Sequence, residues 1–171
     1  MDKEKVLPKR KPTRLKDFDY SSSGAYFITI CTENRRQILS RVVGVDVLGD
    51  PKITELLPYG KIADKYINRF NEFYDNIVID KYVIMPNHIH ILLHVRQDGA
   101  PRTSPPTKQT TAVSHFVSTF KRFCNKEYGE NIWQRGFNDH IIRGREDYEK
   151  IAKYIAENPI KWYYDELYAE E

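Results

Sequence analysis

Two histidines separated by one residue stand near the head of an apolar run, Met85-Pro86-Asn87-His88-Ile89-His90-Ile91-Leu92-Leu93-His94-Val95. In a β-strand successive side chains alternate between faces, so His88 and His90 project together while Ile89, Ile91 and Leu93 project the other way. Two imidazoles on one face can share a metal ion. A pair of hydrogen-bonded structural histidines is the plainer alternative for a His-x-His taken alone. His94 has the same parity but lies too far along the strand to reach the same ion.

A second constellation lies about sixty residues on. Tyr148, Ile151, Ala152 and Ile155 recur at helical spacing, and Tyr154 and Asn158, four residues apart, sit about 40° from each other on the flank of that stripe. A helix packed on the sheet by its apolar stripe would run this flank along the sheet surface. There Asn158 could become a third ligand to the ion and Tyr154 a neighbouring hydroxyl. Two imidazoles and an amide oxygen leave open positions on a divalent ion. They suit Mg²⁺ or Mn²⁺ once substrate or water adds oxygen ligands, an arrangement for holding a phosphate. A metal that polarises a phosphodiester oxygen would let an in-line tyrosine hydroxyl displace a sugar hydroxyl and form a phosphotyrosine. With an ordinary pKa near ~10, that tyrosine needs help in losing its proton. The alternative is that Tyr154, one of 12 tyrosines, merely packs at a helix edge.

These groups need rigid elements beneath them. Ala25 to Thr32 is short, aromatic and β-branched, and its continuous apolarity predicts a central strand. From Gln37 to Leu56, Val and Leu segments broken by Gly44, Gly49 and Asp50-Pro51 predict a two-stranded excursion. Pro58 can open a helix, and Ile62, Ala63, Tyr66, Ile67, Phe70 and Phe73 continue it from about Tyr59 to Phe73. Ile77–Met85 and His88–Val95 read as an antiparallel hairpin turning at Pro86-Asn87. Residues 96–110, rich in Pro, Ser and Thr, read as a mobile loop. Val113, Phe116, Val117, Phe120, Phe123 and Cys124 predict a second amphipathic helix. Ile132–Ile142 is β-like, Glu146–Asn158 is the helix already described, and Lys161–Tyr168 predicts a short terminal helix. The sum is an α+β, ferredoxin-like split βαβ antiparallel sheet, with helices on one face and a further C-terminal helix carrying the tyrosine. In this topology the Ala25–Thr32 strand and the His-x-His strand lie side by side at the centre.

The 171 residues suit one domain over 21–171, preceded by a basic extended arm over 1–20. Seven Lys or Arg between Met1 and Lys16, and five with no acid between Arg102 and Lys126, sit against an acidic stretch from Glu146 onward. That uneven distribution, inside a net charge of +3, suggests a polyanionic partner. The two cysteines, Cys31 and Cys124, lack metal-type spacing and read as reduced buried thiols. Neither a signal peptide nor a membrane span is expected, which makes a cytoplasmic location the economical reading.

Five segments carry a resemblance. They are Tyr20–Thr32, Tyr82–His90 with its Met-Pro-Asn-His-Ile-His, Phe120-Lys121, Ile132–Arg143, and Tyr154-Ile155-Ala156-Glu157-Asn158-Pro159. In this order they resemble the IS200-like single-tyrosine HUH transposases, and in particular the REP-associated tyrosine transposases. The resemblance implies that His88 and His90 bind the metal and that Tyr154 is the nucleophile. It puts Asn158 at the third-ligand position, where some relatives carry Gln. It further implies cleavage of single-stranded DNA beside hairpins, a tyrosine-linked 5′ phosphate, a free 3′ hydroxyl, and rejoining without a nucleotide cofactor. Basic arms in such enzymes suggest DNA contacts for Arg10, Lys11, Arg14 and Lys16, and Lys121 and Arg122 on the acid-free helix are further candidates. Some relatives are homodimers that exchange the tyrosine helix, which leaves open whose histidines Tyr154 serves. Two rival readings remain. One is a non-catalytic single-stranded DNA or RNA binder on an RRM-like sheet, using aromatics such as Tyr26 and Phe27. The other is a metal-dependent phosphodiesterase that uses water. His140 reads as a hydrogen-bonded structural histidine and His115 as a surface residue.

Overall fold

The computed structural model describes residues 23–44, 53–72, 74–96 and 111–168. Its elements in chain order are β1 (Gly24–Cys31), β2 (Ser40–Val43), β3 (Ile53–Leu56), α1 (Pro58–Asn68), β4 (Ile77–Ile84), β5 (His88–Val95), α2 (Ala112–Tyr128), β6 (Asn138–Ile141) and α3 (Arg145–Glu157). Four strands form an antiparallel sheet in the order β4-β5-β1-β6, and β2 and β3 pair separately. This is the expected α+β split βαβ arrangement, with β1 and β5 central. The basic arm with Arg10, Lys11, Arg14 and Lys16, and most of the Pro-rich segment after β5, lie outside the described residues.

Alternation along the two central strands sorts the sheet into an oily face and a chemical face. Tyr26, Ile28 and Ile30 of β1 join Ile89, Ile91 and Leu93 of β5 in one buried cluster with Ala63 and Ile67 of α1 and Val113, Phe116, Val117, Phe120 and Cys124 of α2. The opposite face carries Phe27, Thr29 and Cys31 of β1, paired in register with Leu92, His90 and His88 of β5. α3 packs over that face against β4 and β5. Both cysteines are buried and free.

Local chemistry explains the element ends. Pro58 opens α1, and Gly60 lies so close to the preceding chain that an added Cβ would stand 1.9 Å from the Leu39 carbonyl oxygen. The helix ends at Asn68 and tightens into a 3₁₀ turn at Phe70–Glu72, shorter than the continuous helix expected. Thr111 caps α2 by accepting from Ser114 N–H, and Gly129 ends it at φ 80°. Ile132–Ile142 is less regular than expected. It holds one bridge, Thr32 to Trp133, then β6. Gly136 at φ 83° and the Lys121 ammonium, which donates to the Gln134 and Gly136 carbonyls at 2.7 and 2.5 Å, turn the intervening chain away from the ladder. The predicted terminal helix is reduced to a 3₁₀ turn, Trp162–Tyr164. Its continuation is lost because the Asp165 carboxylate accepts from Leu167 N–H at 2.7 Å and from side chains of α3 and its cap.

Candidate active site

The β4–β5 turn is the best-tied part of the site. Met85 N–H donates to the His88 carbonyl at 2.9 Å, while the Asn87 carbonyl accepts from Thr32 N–H and hydroxyl at 2.9 and 3.0 Å. His88 and His90 follow on one face, with ring centroids 4.4 Å apart, and both are buried.

Each imidazole is oriented through Nδ1. His88 Nδ1 lies 2.8 Å from Asn87 Oδ1, and Asn87 Nδ2 donates to the Leu167 carbonyl at 2.8 Å. The amide nitrogen is committed to that carbonyl, so its oxygen faces His88. The histidine must donate from Nδ1 and keep its lone pair on Nε2. That Nε2 is buried without a hydrogen-bond partner. His90 Nδ1 lies 2.9 Å from the Thr29 hydroxyl on the neighbouring strand. Outer hydrogen bonds of this kind hold metal-binding imidazoles in the ligating tautomer.

α3 brings the other half. Gly144 at φ 88° starts it, and Asp147 in its first turn accepts from Arg143 N–H and pairs with His140 of β6, both through Oδ2, at 2.8 and 2.9 Å. His140 therefore anchors the helix, as its reading as a structural histidine anticipated. Tyr148 donates to Asp80, the extra residue of a bulge in β4, and its ring faces that of His94 at 6.0 Å. Two turns on, the Tyr154 hydroxyl reaches 3.3 Å from His90 Nε2 of the same chain. Asn158 caps the helix with its side chain 1% exposed and its Oδ1 unpartnered. The structure thus gathers His88, His90, Tyr154 and Asn158.

Sequence reasoning missed Asp165. A nitrogen of each histidine and an oxygen of Asp165 lie within 4.8 Å of one another. Asp165 Oδ2 accepts from the Tyr154 hydroxyl at 3.1 Å and from Asn158 Nδ2 at 3.0 Å. Nothing in its spacing distinguishes it from the other acids of the C-terminal stretch. Asn87 and Thr29 were legible in principle: one adjoins His88, and the other is a polar residue at a chemical-face position of a central apolar strand.

Burial dominates the electrostatics. It lowers His88 to about 3, with Arg35 adding to the effect. It holds His90 well below the usual imidazole range, helped by His88 and opposed by Asp165. Both rings are neutral at pH 7, as a metal ligand must be. Tyr154 is pushed up to about 12, by burial first and then by the negative charge of Asp165 and the hydrogen bond to it. A cleft of about 500 Å³ opens beside the phenol, lined by Phe27, His90, Ile151, Tyr154, Lys161 and Tyr164 among others. Phe27 packs against both the His90 and Tyr154 rings, with centroids at 5.0 and 6.0 Å, and Tyr26 is buried under the opposite helices. Of the aromatics that an RRM-like reading would use, Tyr26 is therefore committed to packing, whereas Phe27 is half-buried and lines the cleft.

Two histidine nitrogens and an amide oxygen, two of these atoms buried without partners, form a donor set that fits a divalent cation. Of the basic candidates, Lys121 and Arg122 fall among the described residues. Lys121 is partly buried, with its ammonium on the two carbonyls already named and its pKa lowered to about 8 by burial. Arg122 is exposed, with its guanidinium 5.5 Å from the Phe123 ring centroid. His115 is half-buried against the Tyr74 ring rather than free on the surface. No described helix is long and apolar enough to cross a membrane.

Comparison with known proteins agrees with this architecture. An uncharacterized protein of Haemophilus influenzae is 30% identical over 176 residues, covering 94% of each chain. The REP-associated tyrosine transposase of Escherichia coli K12 is 26% identical over 143 residues, 83% of this chain and 70% of that one. A solved REP-associated tyrosine transposase bound to a REP hairpin superposes with a TM-score of 0.54 at 20% identity, over 91% of this chain and 74% of that one, and shares the fold. Residues 20–158 match the family described as "Transposase IS200 like". That match takes in both histidines, the tyrosine and the amide, and the chain belongs to the IS200-like transposase family.

Proposed function

We propose that this protein nicks single-stranded DNA beside hairpins and transfers the cut strand through a covalent 5′-phosphotyrosine on Tyr154. The observation that carries the reading is the Tyr154 hydroxyl 3.3 Å from His90 Nε2, beside the buried, unpartnered His88 Nε2 and Asn158 Oδ1. His88, His90 and Asn158 would hold Mg²⁺ or Mn²⁺, which supplies Lewis-acid polarisation of a phosphate oxygen. The chain's own residues do the rest. Thr29 and Asn87 keep the imidazoles oriented, and the cleft beside Phe27 and Ile151 admits the strand.

The phenol, held protonated up to about 12, must lose its proton as it attacks. Asp165 Oδ2, which already accepts its hydrogen bond, is the acceptor in place. The phenolic oxygen bonds to phosphorus, the bond from phosphorus to the 3′ oxygen breaks, and that oxygen leaves as a 3′ hydroxyl after taking a proton. Attack by a 3′ hydroxyl on the phosphotyrosine reverses the step. The ester keeps the energy of the bond it replaced, so rejoining requires no ATP. The contact of Tyr154 with His90 of its own chain supports a cut made within one protomer. A hairpin as substrate is supported by family membership and by the REP hairpin bound to the structurally similar transposase.

One incubation with 5′- and 3′-labelled hairpin DNA and Mn²⁺, resolved on a denaturing gel, tests the reading. The wild type yields a protein–DNA adduct, and Tyr154→Phe yields none while binding the hairpin normally. Cleavage without an adduct would make the protein a water-using phosphodiesterase, and binding without cleavage would make it a non-catalytic module.

A further inference from the structure

The segment after α3 does more than end the chain. Trp162 is buried, with its ring 5.9 Å from that of His88, and Tyr168 packs on Trp162 at 5.2 Å. Between them the backbone is tied to the chemical end of the sheet. Arg35 donates to the Glu166 carbonyl at 3.1 Å and Asn87 to the Leu167 carbonyl at 2.8 Å. The side chain delivered by this strap is Asp165.

We infer that Asp165 is the anionic ligand of the divalent-cation site, supplied by the C-terminal strap Trp162–Tyr168. This deepens the reading of His88, His90 and Asn158 as ligands and rests on it. Those three groups are all neutral, whereas Mg²⁺ and Mn²⁺ favour carboxylate oxygen and gain affinity from ligand charge. Among the described residues Asp165 is the acid grouped with the histidine pair, within 4.8 Å of their nitrogens.

A second, independent observation points the same way. His88 Nε2 and Asn158 Oδ1 are buried polar atoms without partners, on residues 0% and 1% exposed. Asp165 is the reason the amide presents its oxygen. A carboxylate can only accept, so the edge of Asn158 that meets Asp165 Oδ2 at 3.0 Å must be its NH₂, and Oδ1 is left as the available donor to a cation. Besides accepting from the Tyr154 hydroxyl, Asp165 thus acts as a ligand and as the group that fixes the orientation of another ligand. The rival role is a latch whose only work is to hold the Tyr154 hydroxyl, which it meets at 3.1 Å.

The test is a Mn²⁺ titration of the purified full chain without DNA, followed by calorimetry and by the electron paramagnetic resonance signal of free Mn²⁺. Asp165→Asn, which keeps the side-chain shape, should weaken binding at least about tenfold. Asp165→Glu should stay within about threefold of wild type, because charge and oxygen are retained. The neighbouring Glu166→Gln should also stay within about threefold, because loss of a nearby charge is not loss of a ligand. Wild-type affinity in Asp165→Asn would overturn the inference in favour of the latch. An equal loss in Asp165→Glu would overturn it in favour of a packing role. The adduct gel on the same preparations separates this inference from the proposed function. Mn²⁺ binding that depends on Asp165 without any Tyr154 adduct sinks the strand-transfer reading alone. Adduct formation with Asp165-independent Mn²⁺ binding sinks only the ligand assignment, and a wild-type chain that binds no Mn²⁺ sinks both.

Discussion

Asn87→Leu removes one side chain that serves both halves of the site. Asn87 is 1% exposed; its oxygen faces His88 Nδ1 and its nitrogen holds the Leu167 carbonyl, each at 2.8 Å. Leucine keeps the branching at Cγ but is larger, so some overpacking adds to the polar loss. Two hydrogen bonds at about 1 kcal/mol net each disappear. In addition His88, which is fully buried and has no partner at Nε2, keeps an N–H with nowhere to donate, for a further ~1–3 kcal/mol. The expected polar loss of stability is about 3–5 kcal/mol, read as a lower urea midpoint at unchanged slope. Mn²⁺ affinity should fall about 10- to 100-fold because the tautomer is no longer held. Adding His88→Ala removes the orphaned N–H, so the double variant should be more stable than the sum of the singles by about 1–2 kcal/mol. Strict additivity, or an Asn87→Leu chain that unfolds and binds Mn²⁺ as the wild type does, would refute the assignment of the His88 tautomer.

Three other outcomes follow from the same geometry. Gly60→Ala forces a methyl to 1.9 Å from a backbone oxygen that cannot rotate away, so α1 must shift; a loss of more than about 2 kcal/mol is expected, and an unchanged melting temperature would contradict the packing. Treated with chelator, the protein should lose stability as pH falls below ~6.5, because the unfolded chain protonates His88 and His90 while the folded chain keeps them neutral, His88 down to about 3. Stability from this source is complete above the unfolded pKa, and its loss approaches ~1.4 kcal/mol per pH unit per histidine; melting curves of a His88→Gln/His90→Gln variant parallel to wild type between about pH 7.5 and 5 would exclude it. Lys121→Met should destabilise the chain by roughly 1–3 kcal/mol by releasing the Gln134 and Gly136 carbonyls, whereas Arg122→Ala should leave stability unchanged and reduce the salt dependence of hairpin binding; the reverse pattern would restore Lys121 as the DNA contact.

How legible the molecule was depends on the range of the interaction concerned. Alternation along Tyr26–Cys31 and His88–Val95 is a property of consecutive residues. It marked out the central strands, the oily face and the shared face of the two histidines, and the register Thr29 to His90 agrees with it. Helical spacing likewise put Tyr154 and Asn158 on one flank of α3. Contacts made by single residues across long stretches of chain left no such pattern. Lys121 reads as a free cation in a stretch without acids up to Lys126, whereas its partners are the carbonyls of Gln134 and Gly136. Lys161–Tyr168 has helical composition, but capture of Asp165 by Tyr154 and Asn158 outweighs a helix too short to hold itself together.

The sequence by itself determined the split βαβ order, the pair of imidazoles on one strand face, and the tyrosine and amide one helical turn apart. Each is set by local periodicity, which a chain cannot change without burying the wrong side of an element. Only the tertiary structure decided which nitrogen of His88 is available, that Tyr154 meets the histidines of its own chain, and that an acid from the C-terminal strap joins them. Those outcomes depend on hydrogen bonds between residues far apart in the chain, such as Asn87 to Leu167, 80 positions away, and Arg35 to Glu166, 131 positions away, and they exist only once the sheet, α3 and the strap are packed together.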